Sequence, residues 1–185
     1  MIIRAAHPAD AHGIAAVHVD SWRSTYVGIV PDEVLERLSY DNRGQFWQDI
    51  LTNHNHNNPV FVAEDDAGQI TGFASGGKER GGIEDYDGEL YAIYLQTHMQ
   101  GHGIGRRLVC SVATTLAEQG FSSMLTWVLA DNPARHFYEA LGGVYVTEQD
   151  IQINGTTLSE IAYGWSNIQA LLELKEKYYG DTAST

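Results

Sequence analysis

Between a strand-like run, Glu89-Leu90-Tyr91-Ala92-Ile93-Tyr94-Leu95, and a helix-like run with Ile104, Leu108, Val112 and Leu116 at four-residue spacing, three glycines stand at alternate positions: Gly101, Gly103 and Gly105. This junction constrains the chain more than any other feature. Glycine lets backbone N–H groups approach a ligand closely and reach positive φ. A helix N-terminus adds unpaired donors and positive dipole. Together they predict an anion site suited to a pyrophosphate, and Arg106 and Arg107 add charge beside it. Two familiar nucleotide motifs do not fit. The dinucleotide fingerprint needs a third glycine where Arg106 stands, and the Gly-x-x-x-x-Gly-Lys-Ser/Thr loop is absent. The bland reading of the glycines alone is an ordinary tight turn.

The rest of the chain supplies the frame. Residues 1–5 read as a strand, and His7 to Asp10 open a helix carrying Ile14, Val17 and Trp22. Pro31 sits at a first helical position ahead of Leu35 and Leu38, and Asp41 caps a further helix with Phe46, Trp47, Ile50 and Leu51. The tract 53–58 is a polar Asn/His loop. Val60–Ala63 and Ile70–Ser75 form a hairpin around Asp65–Gly68, and the glycine-rich stretch 76–88 reads as a loop. After the strand 89–95 come a helix over 103–119, a strand over 124–129 and a helix over 133–141. Strands 143–153 and 158–165 flank an Asn154-Gly155 turn, a strong hairpin signal. A last helix covers 167–179, and 180–185 is a frayed tail. Hairpins followed by crossovers imply a mixed sheet with helices on it.

Composition narrows the function classes. A length of 185 residues predicts one domain. The 24 acidic and 11 basic side chains give a net charge of -13, which argues against nucleic acid and against anionic membrane surfaces. A single cysteine, Cys110, cannot form an internal disulfide, and no signal peptide or apolar span of membrane length is visible. A cytoplasmic protein is the expectation.

A second segment gives the glycine turn its meaning. Asn132-Pro133, with Asn132 as N-cap, leads into Phe137-Tyr138 and Leu141-Gly142. With Gln100-x-x-Gly103-x-Gly105 about thirty residues earlier, this resembles the GNAT superfamily of acyl-CoA-dependent N-acetyltransferases. The resemblance runs over roughly residues 2–165. It implies an α/β fold with a mixed, mostly antiparallel sheet, a central splayed parallel strand pair, and flanking helices. Residues 1–166 are then a single acyltransferase domain, and 167–185 a C-terminal helix and tail.

The resemblance also implies roles. The pantetheine arm of acetyl-CoA lies between strands 89–95 and 124–129, on backbone groups of Ile93 and Leu95. The pyrophosphate rests on Gly101, His102, Gly103, Ile104, Gly105 and Arg106, helped by Gln100, with Asn132 near the arm. Tyr138 is the candidate general acid for the leaving thiolate; its bland reading is a buried aromatic with a satisfied hydroxyl. Glu84, Asp85, Asp87 and Glu89 precede the cofactor strand. Glu89 is the first candidate for the base, with Asp87 second and an acceptor contact; strand alternation puts Glu89, Tyr91 and Ile93 on one face. The bland reading is a solvated acidic loop. Trp22 and Tyr26 are candidate acceptor-lining residues, and Tyr86 could join them, whereas Trp47 is read as core. His12 and His18 are read as helix-surface residues. His54 and His56 lack a third metal ligand, so no metal is expected. Cys110 is read as a packed hydrophobe rather than an acyl carrier. The reading is transfer of acetyl from acetyl-CoA to a primary amine of a small molecule, with cationic amines favoured by the acidity. The resemblance admits a homodimer. The alternatives are a non-catalytic acyl-CoA-binding regulator, a protein N-terminal or lysine acetyltransferase, and, less well supported, a nicotinamide-dependent dehydrogenase.

Overall fold

The computed structural model describes residues 1–53 and 58–179; most of the Asn/His tract, with His54 and His56, and the tail 180–185 lie outside them. Seven strands form one sheet: β1 (Ile2–Ala5), β2 (Val60–Glu64), β3 (Ile70–Lys78), β4 (Gly88–Leu95), β5 (Met124–Leu129), β6 (Val144–Ile153) and β7 (Thr156–Trp165). Their order is β1-β2-β3-β4-β5-β7-β6. Every neighbouring pair is antiparallel except β4 and β5. That parallel pair needs a crossover, which is the helix α4 (Ile104–Glu118). The other helices are α1 (Ala11–Thr25), α2 (Asp32–Glu36), α3 (Tyr40–Thr52), α5 (Arg135–Ala140) and α6 (Gln169–Tyr179). Among the described residues no helix is long and apolar enough to cross a membrane.

Two cores cover the two faces of the sheet. On one, Leu108, Val112 and Leu116 of α4 are fully buried against Ala74, Leu90, Met124 and Leu171. Each such side chain stabilises the fold by roughly 1.5–3 kcal/mol. On the other, Ile14 and Val17 of α1 and Trp47 of α3 pack on Val62 and Phe73. A smaller cluster joins Tyr26, Val30, Leu35 and Leu129 to the β6–β7 hairpin. That hairpin turns at Asn154 and Gly155 with φ of 49° and 81°, the double positive φ of a type I′ turn.

Several local expectations are corrected. Pro31 is the N-cap residue of α2 rather than its first helical residue, and Leu38 lies beyond the helix end. The cap of α3 is Ser39, whose Oγ accepts the Asn42 N–H at 3.3 Å. The helix expected over 133–141 is only the six residues of α5. Strand β3 runs on through Gly76 and Gly77, which pair with Leu90 and Glu89. Here glycine serves close approach, not a turn: a Cβ on Gly76 would stand 2.5 Å from Val112 Cγ1 and 2.8 Å from the Glu89 carbonyl oxygen. His18 is buried at 7% exposure, stacked on Tyr94 with ring centroids 5.1 Å apart, and accepts the Trp47 indole N–H at Nδ1. Burial, with Arg43 nearby, pulls its pKa down to about 3, so it is neutral.

Candidate active site

The site begins where the parallel pair fails. Strands β4 and β5 pair at Gly88–Met124 and Glu89–Leu125 and no further. At the next step a side chain replaces the ladder: Thr126 Oγ1 donates to the Leu90 carbonyl at 3.0 Å. Beyond this clasp opens a cavity of about 490 Å³, with Tyr91–Leu95 on one wall and Thr126–Val128 on the other.

A bulge shapes the β4 wall. Gly76 pairs with Leu90 and Ser75 with Ala92, so Tyr91 is an extra residue on β4. The bulge resets the alternation, which corrects the face expected from simple parity. Glu89 shares a face with Ala92 and Tyr94, toward α1, whereas Ile93 and Leu95 join Leu90 toward α4. The backbone edge follows from the same register. Gln96 donates its N–H to Thr71 on the β3 side at 2.9 Å. By the two-residue alternation of antiparallel ladders, Tyr94 and Ala92 also bond toward β3. The backbone polar groups of Ile93 and Leu95 therefore point the other way, into the gap. The Leu95 carbonyl accordingly accepts from Ser21 Oγ at 3.4 Å and from Gln100 Nε2 at 3.5 Å.

The glycine turn forms the mouth. Gly101, Gly103 and Gly105 line the cavity with backbone alone, and Gln100 and Arg106 flank them. Gly101 and Gly103 have φ of 78° and 76°, left-handed values that exclude most side chains at low cost. Gly103 is the N-cap of α4. Of the other expected contacts, His102 is exposed and does not line the cavity, and the Ile104 side chain is 4% exposed in the core. Arg107 lies outside the lining as well.

Three phenols close the inner end: Tyr138 of α5, Tyr26 at the end of α1, and Tyr94 of β4 all line the cavity. Burial, reinforced by nearby Tyr26, raises the Tyr138 phenol well above its ordinary value against an opposing hydrogen bond with Thr126. Burial also raises Tyr26, opposed by hydrogen bonds with Tyr94 and Asn132. The Trp22 indole donates to the Tyr94 hydroxyl at 3.0 Å, so Trp22 acts behind the wall rather than in it. Asn132, 4% exposed, lines the cavity, and its Oδ1 accepts the Ala134 N–H at 2.9 Å. Sequence reasoning missed Tyr94. Its only signal was a tyrosine inside the strand already assigned to the cofactor.

The carboxylates separate. Asp87 accepts from the backbone N–H and the hydroxyl of both Ser122 and Ser123, at 2.8–2.9 Å. Burial works against its charged form, but these four bonds outweigh it and hold the carboxyl below its usual range. It fastens β4 to the start of β5, away from the cavity lining. Glu89 is 4% exposed, ion-paired to Arg80 two residues before the bulge, and, like Asp87, outside the cavity lining. Tyr86 packs over Gly164. Cys110 is buried and donates to the Leu171 carbonyl at 3.3 Å, remote from the cavity. Among the described residues no group of three His, Cys, Asp or Glu could hold a metal ion.

A mostly antiparallel sheet opened at its one parallel pair, with a glycine-lined helix start at the mouth, defines an acyltransferase-type α/β protein. Comparison with known proteins specifies it further. A family model described as FR47-like protein matches residues 80–150. The chain is 42% identical over 172 residues to an uncharacterized N-acetyltransferase, YuaI, of Bacillus subtilis (strain 168), covering 93% of this chain and 96% of that one. It is 30% identical over 158 residues to the L-amino acid N-acyltransferase MnaT of Escherichia coli (strain K12), covering 83% and 84%. The fold superposes with a TM-score of 0.67, at 24% identity, on yncA from Salmonella typhimurium, an acetyltransferase structure with its cofactor acetyl-CoA, covering 89% and 92%. The chain belongs to the GNAT superfamily of N-acetyltransferases.

Proposed function

We propose that the protein transfers an acetyl group from acetyl-CoA to a primary amine of a small molecule, inside the gap between β4 and β5. The observation that carries this reading is the gap itself: strands that separate after two residue pairs, with Ile93 and Leu95 backbone groups turned into it. A pantetheine arm has two amides spaced for such an edge, and the glycine mouth suits its pyrophosphate. The Salmonella structure, which holds acetyl-CoA on the same fold, supports the choice of donor.

The chemistry is direct attack. The acceptor ammonium first gives one proton to a base, Glu89 through a water, because only the neutral amine is nucleophilic. The nitrogen lone pair attacks the thioester carbon, the C–S bond breaks, and the thiolate takes a proton from the Tyr138 hydroxyl. The nitrogen sheds its second proton, which restores Tyr138, and the proton on Glu89 leaves to solvent. The sum is amide, CoA thiol and one released proton. Asp87 is the second candidate: its carboxylate accepts four hydrogen bonds from Ser122 and Ser123, against the three that Glu89 accepts from Arg80. The MnaT relative acts on L-amino acids by its name, so these lead the acceptor panel beside polyamines and aminoglycosides. The test is incubation with acetyl-CoA and each amine, reading free thiol. Thiol release that requires an amine supports the reading. Thermal stabilisation by acetyl-CoA without turnover on any amine replaces it with a binding module, and acetylation confined to protein N-termini or lysines replaces the acceptor class.

A further inference from the structure

Tyr26 follows the last turn of α1, and its backbone is tied on both sides. Its N–H donates to the Trp22 carbonyl at 3.0 Å, and its carbonyl accepts from the Ile29 and Val30 N–H groups at 3.0 and 3.1 Å. Its ring packs on Trp22 with centroids 4.7 Å apart. The phenol is thus held at the inner end of the cavity, 8% exposed, in one lining with Tyr94, Asn132 and Tyr138. The hydrogen bonds around it run one way. An indole N–H can only donate. Trp22 therefore donates to the Tyr94 oxygen, at 3.0 Å, and Tyr94 keeps its own proton to give. Asn132 commits Oδ1 to the Ala134 N–H at 2.9 Å, which leaves its amide nitrogen as the donor to meet Tyr26. Burial raises the Tyr26 phenol, but its bonds with Tyr94 and with Asn132 both lower it. A hydrogen bond that lowers a phenol is one donated to its oxygen. Burial raises Tyr94 as well, and the charge and hydrogen bond of Tyr26 raise it further, as befits the partner that gives the proton. Two donors thus fill the acceptor side of the Tyr26 oxygen, and the Tyr26 proton is left to whatever occupies the cavity.

We propose that Tyr26 is a further catalytic residue: its hydroxyl, set as a donor by Trp22, Tyr94 and Asn132, hydrogen-bonds the carbonyl oxygen of the acetyl thioester and steadies the negative charge that gathers there as the amine attacks. This inference rests on the acetyl-transfer reading above. Of the reacting atoms, the amine nitrogen brings N–H donors, which the filled Tyr26 oxygen cannot receive. The sulfur is served by Tyr138. The carbonyl oxygen is the acceptor that remains, and it shares one carbon with that sulfur. The two phenols are correspondingly close: after burial, the Tyr26 phenol is what raises Tyr138. As the nitrogen lone pair forms the new bond, the π pair of the carbonyl moves onto oxygen. It returns when the C–S bond breaks, and Tyr26 keeps its proton throughout. A donor fixed before the reaction costs no reorganisation and counts most in a low-dielectric site.

The experiment is steady-state kinetics of amine-dependent thiol release by the full chain, with the carbonyl band of bound acetyl-CoA read by isotope-edited infrared in the absence of amine. Tyr26→Phe keeps the ring and removes the donor. It lowers kcat roughly 10²–10³-fold and leaves both KM values within about threefold. The carbonyl band moves to higher frequency than in the wild-type complex, because its hydrogen bond is gone. Tyr94→Phe leaves the Tyr26 hydroxyl in place but frees it to turn, and lowers kcat about 2–10-fold, the worth of one neutral hydrogen bond. This second variant carries the same test without touching Tyr26. An unchanged kcat with an unchanged carbonyl band in Tyr26→Phe overturns the proposal. A loss confined to the KM of the amine also overturns it and makes Tyr26 a contact to the acceptor. A wild-type chain that releases no thiol with any amine overturns the acetyl-transfer reading itself, a result that does not depend on the variants.

Discussion

Gly101→Ala isolates the backbone contribution of the glycine turn. Gly101 has φ of 78°, and a Cβ built there meets nothing within 4 Å. The substitution therefore introduces backbone strain and no clash. Holding alanine in the left-handed region costs roughly 1–2 kcal/mol. The narrower unfolded ensemble of alanine offsets about 0.4–1 kcal/mol of that. Two responses are open to the chain, and they read out differently. If the turn holds its shape, the net cost of about 1 kcal/mol appears as a fall in Tm of roughly 2–4 °C, with acetyl-CoA affinity kept. If the turn relaxes, Tm is nearly kept, but the binding-competent fraction falls. The apparent Kd for acetyl-CoA then rises by the inverse of that fraction, about 5–30-fold for a 1–2 kcal/mol strain. Differential scanning calorimetry and a calorimetric titration with acetyl-CoA on the same preparation measure both. In either case kcat at saturating acetyl-CoA stays at the wild-type value, because the turn does not touch the reacting atoms. Tm and Kd both unchanged would refute the reasoning, and a fall in kcat at saturation would contradict the division between mouth and chemistry.

Four other outcomes follow. Tyr138→Phe lowers kcat by about 10²–10⁴-fold with the KM for acetyl-CoA nearly kept, read by thiol release; unchanged turnover removes Tyr138 from the mechanism. Thr126→Val leaves the Leu90 carbonyl without its donor and lowers stability by about 1–3 kcal/mol, measured by urea unfolding. Asp87→Asn destabilises the fold more at pH 7 than at pH 3. The folded carboxyl lies below its unfolded value, so its contribution is present above the unfolded pKa and is lost as pH falls through the folded one. His18 makes stability fall on acidification from its ordinary value of 6.5 toward about 3, because the unfolded chain takes the proton that the buried ring refuses. The slope is about 1.4 kcal/mol per pH unit from this group, and His18→Phe removes that share of it.

The parts of the molecule that were legible in sequence are those written locally. The glycine turn, the Asn154-Gly155 hairpin and the four-residue spacing of α4 each express their geometry within a few residues, and the structure forms all three. The features that were not legible depend on partners brought together by folding. The Tyr91 bulge is invisible to a period-two count, because an inserted residue changes parity without changing composition. Gly76 and Gly77 read as loop because glycine usually marks turns, whereas here the packing of α4 on β3 requires Gly76 and the Tyr91 side chain requires Gly77. His18 read as surface because a single polar residue on a helix ordinarily faces water, yet Trp47 and Tyr94 enclose it from 29 and 76 positions away. Trp22 and Tyr94, 72 residues apart, carry no joint motif, and Arg80 lay in a stretch whose acidic neighbours drew attention instead. The acidic run 84–89 was read as the cationic acceptor's side of the cleft. Its Asp87 is bonded to Ser122 and Ser123, its Glu89 is paired with Arg80, and neither lines the cavity, so net charge is a poor guide to the acceptor.

The central claim is direct acetyl transfer in the gap between β4 and β5. It is tested most directly by mass spectrometry of one reaction mixture, scoring acetylated amine, free CoA thiol and the intact mass of the protein. The account predicts equal amounts of acetylated amine and thiol, thiol release only when an amine is present, and a protein mass that never gains an acetyl group on the way. Thiol released without an amine, or an acetyl group carried on the chain itself, would contradict it.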